Sequence, residues 1–145
     1  MTPVRRGILT TIVLLSVTGI GVSLVSLYHH YGTSKTSYCD FGANFNCDMV
    51  NRSIYSEVGG VPVALIGILG YCGLLSMAIF NWRKEDAPVF LLVGSLAGLA
   101  FALYLTYIEG FVLAVWCVLC LSSLGLISAI TVLSGFLMTC SKGKR

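Results

Sequence analysis

Charge is scarce in this 145-residue chain: Asp, Glu, Lys and Arg together make up 10% of it, against about a quarter in soluble domains. A water-facing globular surface cannot be built from so few polar groups. The net charge of +3 falls on tails and tight loops, so there is no basic stripe for nucleic acid. A hydrophobic content of 57% excludes disorder. No sustained heptad pattern with flanking charges suggests a coiled coil. No haem-ligand pair, flavin motif or nucleotide fingerprint is present, and there is no internal repeat or low-complexity segment.

What the chain has instead is four charge-free runs, 7–34, 58–82, 87–108 and 110–141. Each holds the roughly 20 apolar residues needed to cross a hydrocarbon core of about 30 Å. We place membrane spans at about 7–31, 61–82, 88–108 and 116–139 within one domain covering 1–145, with an outward loop over 32–60. The first run is longer than the roughly 7–15 apolar residues of a signal peptide and has no small-x-small cleavage site, so it reads as a retained span. Pro62 and Pro88 sit where proline is tolerated, in the first turn of a helix. Arg5, Arg6, Arg83, Lys84, Lys142, Lys144 and Arg145 fall on one side and only Lys35 and Arg52 on the other. The cytoplasmic excess of Lys and Arg then predicts both termini in the cytoplasm and segments 32–58 and 109–115 outside. Short connections between the later spans make neighbouring helices antiparallel, and the expected fold is an all-α four-helix transmembrane bundle. Gly67, Gly70 and Gly73, then Gly94, Ser95 and Gly98, then Ser122, Ser123 and Gly125 supply small residues for close helix packing. After Cys47, the residues Val50, Ile54 and Val58 predict a short interfacial helix that could lie over the bundle as a lid.

Six cysteines allow fifteen complete pairings, and the sequence does not choose among them. Topology separates them. Cys140 falls at the reducing end and Cys72 deep in the second span, whereas Cys39, Cys47, Cys117 and Cys120 all fall at the outer face. Cys117-Val-Leu-Cys120 sets two sulfurs at i and i+3 near a helix N-terminus, whose partial positive charge favours thiolate. A structural zinc site uses the same spacing, with His29, His30, Cys39 and Cys47 as the other available ligands, and two buried small hydrophobes would too. The oxidising face favours redox use. Cys39 and Cys47 close a turn-rich loop, either as a staple or as an exchanging pair, and a second dithiol on the same face permits thiol–disulfide exchange between the two. Electrons reaching Cys117 and Cys120 at the bilayer edge need an acceptor, and a lipid-soluble quinone of ubiquinone, menaquinone or vitamin K type fits. Tyr104 and Tyr107 are candidates to meet a quinone carbonyl or to anchor the interface. Trp116 carries the same two readings. Glu109 is a boundary carboxylate or a proton relay to the quinone.

A Cys-Asp-x-Gly-x-x-x-x-Cys loop (Cys39 to Cys47), a serine six residues later (Ser53), Tyr-Leu-x-Tyr-Ile on the third span and Trp-Cys-x-x-Cys opening the fourth together resemble the vitamin K epoxide reductase family. The resemblance covers essentially the whole chain. It implies a four-helix bundle around a quinone, Cys117 and Cys120 as the inner redox centre, Cys39 and Cys47 as a shuttle that exchanges with a thioredoxin-like partner, and Ser53 near the dithiols and the quinone head. Two departures stand out. The stretch from Cys47 to Pro62 is shorter than in vertebrate members and is similar to the prokaryotic type, and Leu124 stands where vertebrate members carry a tyrosine, so epoxide reduction is not implied. With no thioredoxin-like segment in the sequence, the expected partner is a separate oxidoreductase. The expected location is the inner membrane of a prokaryote, and the expected activity is quinone-linked generation of disulfides for secreted proteins. The alternatives are a quinone or vitamin K epoxide reductase as the main role, and a non-catalytic, disulfide-stapled membrane scaffold. The DsbB-type quinone-linked oxidants also have four spans, but carry their C-x-x-C in the first outward loop, the reverse of the order here.

Overall fold

The computed structural model describes residues 2–32, 39, 42–80, 82–84 and 86–143. Lys35, Asp40, Glu85, Lys144 and Arg145, used above for charge counting and the loop motif, lie outside the described residues. Four helices are long and apolar enough to cross a membrane: α1 (Pro3–Tyr31), α3 (Val63–Phe80), α4 (Ala87–Tyr107) with its continuation to Leu113, and α5 (Val118–Lys142). The shortest, α3, has 18 residues and spans about 27 Å at 1.5 Å per residue. They close into a bundle in which α1 packs on α3 and α5, and α4 packs on α5 and, less extensively, on α3. The Arg5 guanidinium donates to the Lys84 carbonyl at 2.7 Å, so the start of α1 and the α3–α4 connection share one end of the bundle. The four cysteines of interest gather at the other end.

Within hydrocarbon there is little hydrophobic gain in burying one apolar helix against another, so association depends on close fit and interhelical hydrogen bonds. Leu9, Ile12, Tyr71, Leu74, Leu91, Ile127, Ile130 and Leu137 form the central contact cluster. Its key is Gly19 on α1: a Cβ there would sit 2.4 Å from the Tyr71 ring. The ring is held in turn by its hydroxyl, 3.0 Å from the Ser123 carbonyl on α5, so three helices meet at one glycine. Gly19→Val is therefore expected to destabilise the bundle by about 1–3 kcal/mol, the usual range for overpacking. Thermal unfolding in detergent checks this; an unchanged midpoint would mean that Tyr71 has room to swing away.

The span boundaries need correction at three places. The Gly59-Gly60-Val61-Pro62 stretch does not open the second span. It makes a hairpin, Glu57–Val58 against Val61–Pro62, turned by Gly59 and Gly60 at φ of 61° and 83°. Paired positive φ values suit a two-residue hairpin turn, which glycine adopts without strain. The predicted interfacial helix over 48–58 is only α2 (Cys47–Asn51) and a 3-10 turn over Ile54–Ser56. Val50 is buried but Ile54 is 85% exposed, because the chain leaves the helix at Arg52 and the three residues no longer share a face. Finally, the third span does not stop at Ile108 but runs on as a π-helix over Ile108–Leu113, closed by Ala114 in the left-handed conformation.

Candidate functional site

The long loop is fastened to the bundle at two points. The Trp116 N–H donates to the Asn44 carbonyl at 2.8 Å and the Asn46 N–H to the Trp116 carbonyl at 3.1 Å, a short parallel pairing of Phe45 with Trp116. Cys47 follows Asn46 and Cys117 follows Trp116, so this pairing carries the loop cysteines to the start of α5. The Trp116 indole packs over the π segment at Gly110, where a Cβ would lie 3.0 Å from the ring. On the other side, α2 is capped by the Asn46 side chain, which accepts from the Met49 N–H, and is clamped to the end of α1. His29 Nδ1 lies 3.1 Å from Asp48 Oδ1, the Ser26 hydroxyl donates to Asn51 Oδ1 at 2.7 Å, and His30 Nδ1 bonds the Asn51 carbonyl.

Cys39 and Cys47 are joined in a disulfide, while Cys117, Cys120, Cys72 and Cys140 are free thiols. The disulfide is buried, Cys39 at 2% and Cys47 at 1% exposure, and packs with Val50, Val115 and the fully buried Cys117. Cys120 packs at the edge of the same cluster and also reaches further in. It lines a cavity of about 370 Å³, within the usual range for small-molecule sites. The cavity runs between the helices from Ser53, Asn51 and Glu109 at the dithiol end to Leu74 and Ile127 in the middle of the bundle. Gly67 and Gly70 on α3 and Gly94 and Gly98 on α4 form part of its wall. The small residues read from the sequence as packing devices thus also leave the space that larger side chains would fill. The wall is overwhelmingly apolar, and the polar groups collect near Cys120.

Two of those polar atoms are buried without a hydrogen-bond partner: Asn51 Nδ2 and Glu109 Oε1. Because Ser26 occupies the amide oxygen of Asn51, the amide N–H group is the end left over. Glu109 is 2% exposed, and its other oxygen accepts from the Cys117 N–H at 3.3 Å. The Ser53 hydroxyl faces the same cavity but donates to the Val50 carbonyl at 2.8 Å, so towards a ligand it has only lone pairs to offer. Apolar walls with a donor and an acceptor at one end fit a lipid-soluble ring that bears oxygens, the character of a quinone.

Tyr104 and Tyr107 are not brought to the cavity. They are 57% and 58% exposed, and Tyr107 stacks on Phe111 at 4.9 Å. The reason is helical phase: Phe101, Ala102, Leu105, Ile108 and Glu109 form the inward stripe, and positions 104, 107 and 111 lie on the opposite side. Asn51 is the site residue that sequence reasoning missed, whereas Glu109 was named there as a boundary carboxylate or a proton relay. A lone charge eight residues before the redox-capable C-x-x-C was the available signal for Glu109; Asn51 offered none. The residues considered for zinc are otherwise engaged, His29 with Asp48, His30 with Glu57 and the Asn51 backbone, and Cys39 with Cys47.

Cys117 is the N-cap of α5 in extended conformation rather than a residue of the helix. Its thiol is held below the ordinary range, first by the hydrogen bond from the Cys120 thiol, then by the N–H groups of Cys120 and Leu119, with burial and the Glu109 charge opposing. The helix start therefore serves Cys117, through the N–H groups of Leu119 and Cys120. In reduced protein carrying only Cys117 and Cys120, Cys117 should be thiolate at a pH where a free thiol is still protonated. Cys120→Ala removes the largest contribution and should move that ionisation to higher pH. Thiolate absorbance against pH reads it; an ionisation unmoved by Cys120→Ala would assign the effect to the helix alone.

A dithiol set between spanning helices, with a disulfide on one side and an apolar cavity on the other, defines a membrane protein with a cysteine-based redox function. The chain belongs to the vitamin K epoxide reductase family, whose family model matches residues 10–135. This is an oxidoreductase family of the membrane whose members generally use quinone-type substrates and work with redox partners.

Proposed function

We propose that this protein passes electrons from a separate thioredoxin-like oxidoreductase through Cys39/Cys47 and then Cys117/Cys120 to a membrane quinone, and so generates disulfides for proteins outside the cytoplasm of a prokaryote. The observation that carries the reading is the placement of the two inner sulfurs: Cys117 is buried in the cluster with the loop disulfide, and Cys120, packed at the edge of that cluster, also lines the cavity. A partner thiolate attacks Cys39 and releases Cys47. Cys47 thiolate attacks Cys117 of the inner disulfide, and Cys120 leaves as thiolate. Each step is ordinary thiol–disulfide exchange, in which one S–S bond forms as another breaks. When bound, the quinone supplies an acceptor for two electrons and two protons. Within the cavity the protein's share is to seat the ring beside Cys120, exclude water along the apolar wall and leave Asn51 and Glu109 facing the polar end. Because the loop disulfide is buried, its exchange with a partner requires Cys39 to be uncovered from Val115 and Cys117.

The orientation proposed is termini inward and the four cysteines outward, from the distribution of Lys and Arg. The test of function is quinol formation by the purified protein in lipid discs, given a reduced thioredoxin-like protein and menaquinone or ubiquinone. Stoichiometric loss of partner thiols and gain of quinol supports the reading; partner oxidation that proceeds equally without quinone would reject it.

A further inference from the structure

Two observations point to the same end of the cavity. Asn51 Nδ2 and Glu109 Oε1 are both buried, both without a partner, and both on the wall that holds Cys120. An unmet buried polar group costs about 1–3 kcal/mol, and here a donor and an acceptor are left unmet on one cavity wall. Each has its other polar function tied down, Asn51 Oδ1 by Ser26 and Glu109 Oε2 by the Cys117 N–H, so both free atoms are held in place. Glu109 lines the same cavity as Cys120 and accepts from the N–H of Cys117, three residues before Cys120. It is the one carboxylate among the described residues lining the cavity. The other titratable groups there are Cys120, His30, Tyr55 and Tyr71, with Cys117 behind Glu109. His30 is engaged by Asn51 and Glu57, and the Tyr71 hydroxyl by Ser123.

We propose that Asn51 and Glu109 form a two-point site for an oxygen-bearing ring: Asn51 Nδ2 donates to one ring oxygen and anchors it, while Glu109 Oε1 carries a proton from the Cys120 thiol to a ring oxygen. The assignment rests on the quinone-linked reading above. With Cys117 as thiolate and Cys120 protonated, oxidation by a quinone breaks the Cys120 S–H bond, forms the Cys117–Cys120 bond, moves two electrons to the ring and makes two O–H bonds, one with the Cys120 proton and one with a proton from water. Glu109 accepts one proton as Cys120 gives up its electrons and returns to carboxylate on passing it on. The other ring oxygen takes its proton from water. Glu109 is placed for this because its fixed oxygen holds the backbone of Cys117 while its free oxygen faces the cavity beside Cys120.

Full-length protein in lipid discs tests it with Glu109→Gln, Glu109→Asp and Asn51→Asp, assayed with menaquinone. Glu109→Gln retains an acceptor for the Cys117 N–H but carries no proton. It should lower kcat by about 10²- to 10⁴-fold, the scale of general acid–base catalysis, with little change in KM and with normal exchange between the loop and inner cysteines. Glu109→Asp should recover part of the loss. Asn51→Asp keeps the oxygen that Ser26 uses and removes the donor, so KM should rise a few- to about tenfold, as for a single lost hydrogen bond. A second readout needs no quinone: infrared difference spectra between oxidised and reduced dithiol should show a carboxyl band that disappears in Glu109→Gln. Wild-type turnover in Glu109→Gln, a loss confined to KM, or the absence of that band would overturn the role of Glu109. An unchanged KM in Asn51→Asp would overturn the anchor. If the wild-type protein reduces no quinone, the quinone-linked reading fails, and the infrared band still decides whether Glu109 responds to the dithiol.

Discussion

Cys120→Ala should abolish quinone reduction, lowering turnover by at least about 10³-fold, the scale on which loss of a nucleophile acts. Among the described residues, Cys120 is the only cysteine on the cavity wall, and the other inner sulfur, Cys117, is fully buried against the loop disulfide. No neighbouring thiol is placed to take over. The variant should still fold, since alanine leaves the first turn of α5 and its packing intact, and Cys39–Cys47 should still be reducible. Cys117→Ala should fail in turnover by a similar factor but leave a single thiol facing the cavity. Added quinone should then give a visible band in Cys117→Ala and none in Cys120→Ala. Quinol formation and absorbance spectra in lipid discs measure both; the band appearing in Cys120→Ala instead would exchange the roles of the two sulfurs.

Cys47→Ala, given a thioredoxin-like partner activated at its attacking cysteine as a mixed disulfide with an aromatic thiol, should accumulate a disulfide between Cys39 and that partner as the aromatic thiol leaves, with turnover falling to background. The sulfur that would displace the partner from Cys39 is gone, and Cys117 faces the position that Cys47 vacates rather than solvent. Non-reducing electrophoresis shows such a complex as a band lost on reduction, and peptide mass spectrometry locates the linkage. Cys39→Ala should capture far less, since the remaining loop sulfur sits in the cluster with Val115 and Cys117. Partner found on Cys120 with Cys39 unlinked would reverse the proposed relay. Comparable capture in both variants would mean that the loop opens widely enough to offer either sulfur.

The bundle was legible because its cause is compositional. Runs such as 7–34 and 110–141 without a single charge admit one stable arrangement in a bilayer, since backbone groups in hydrocarbon must pair within their own helix. The grouping of Cys39, Cys47, Cys117 and Cys120 at one end followed from the same counting. The hairpin at Gly59 and Gly60 was missed because a glycine pair beside a proline reads equally well as the approach to a helix. The chain turns there because both glycines take positive φ, a choice settled by how α2 and α3 must be joined. Tyr104 and Tyr107 drew attention by residue type, yet their side of α4 is set by which neighbours that helix packs against.

The sequence by itself determined the membrane setting, the number of spans and the set of cysteines available for chemistry, because each depends on local composition or spacing that no tertiary contact can reverse. The tertiary structure alone decided which sulfur meets which neighbour. The pairing of Phe45 with Trp116 brings two loops more than sixty residues apart into register, and the packing of α1 on α2 presents Asn51 to the cavity. The inward stripe of α4 runs on into the π continuation and sets Glu109 on the cavity wall that holds Cys120. These are long-range placements: a carboxylate and an amide carry no mark in the sequence of which buried surface they will face, and only the closed bundle gives them one.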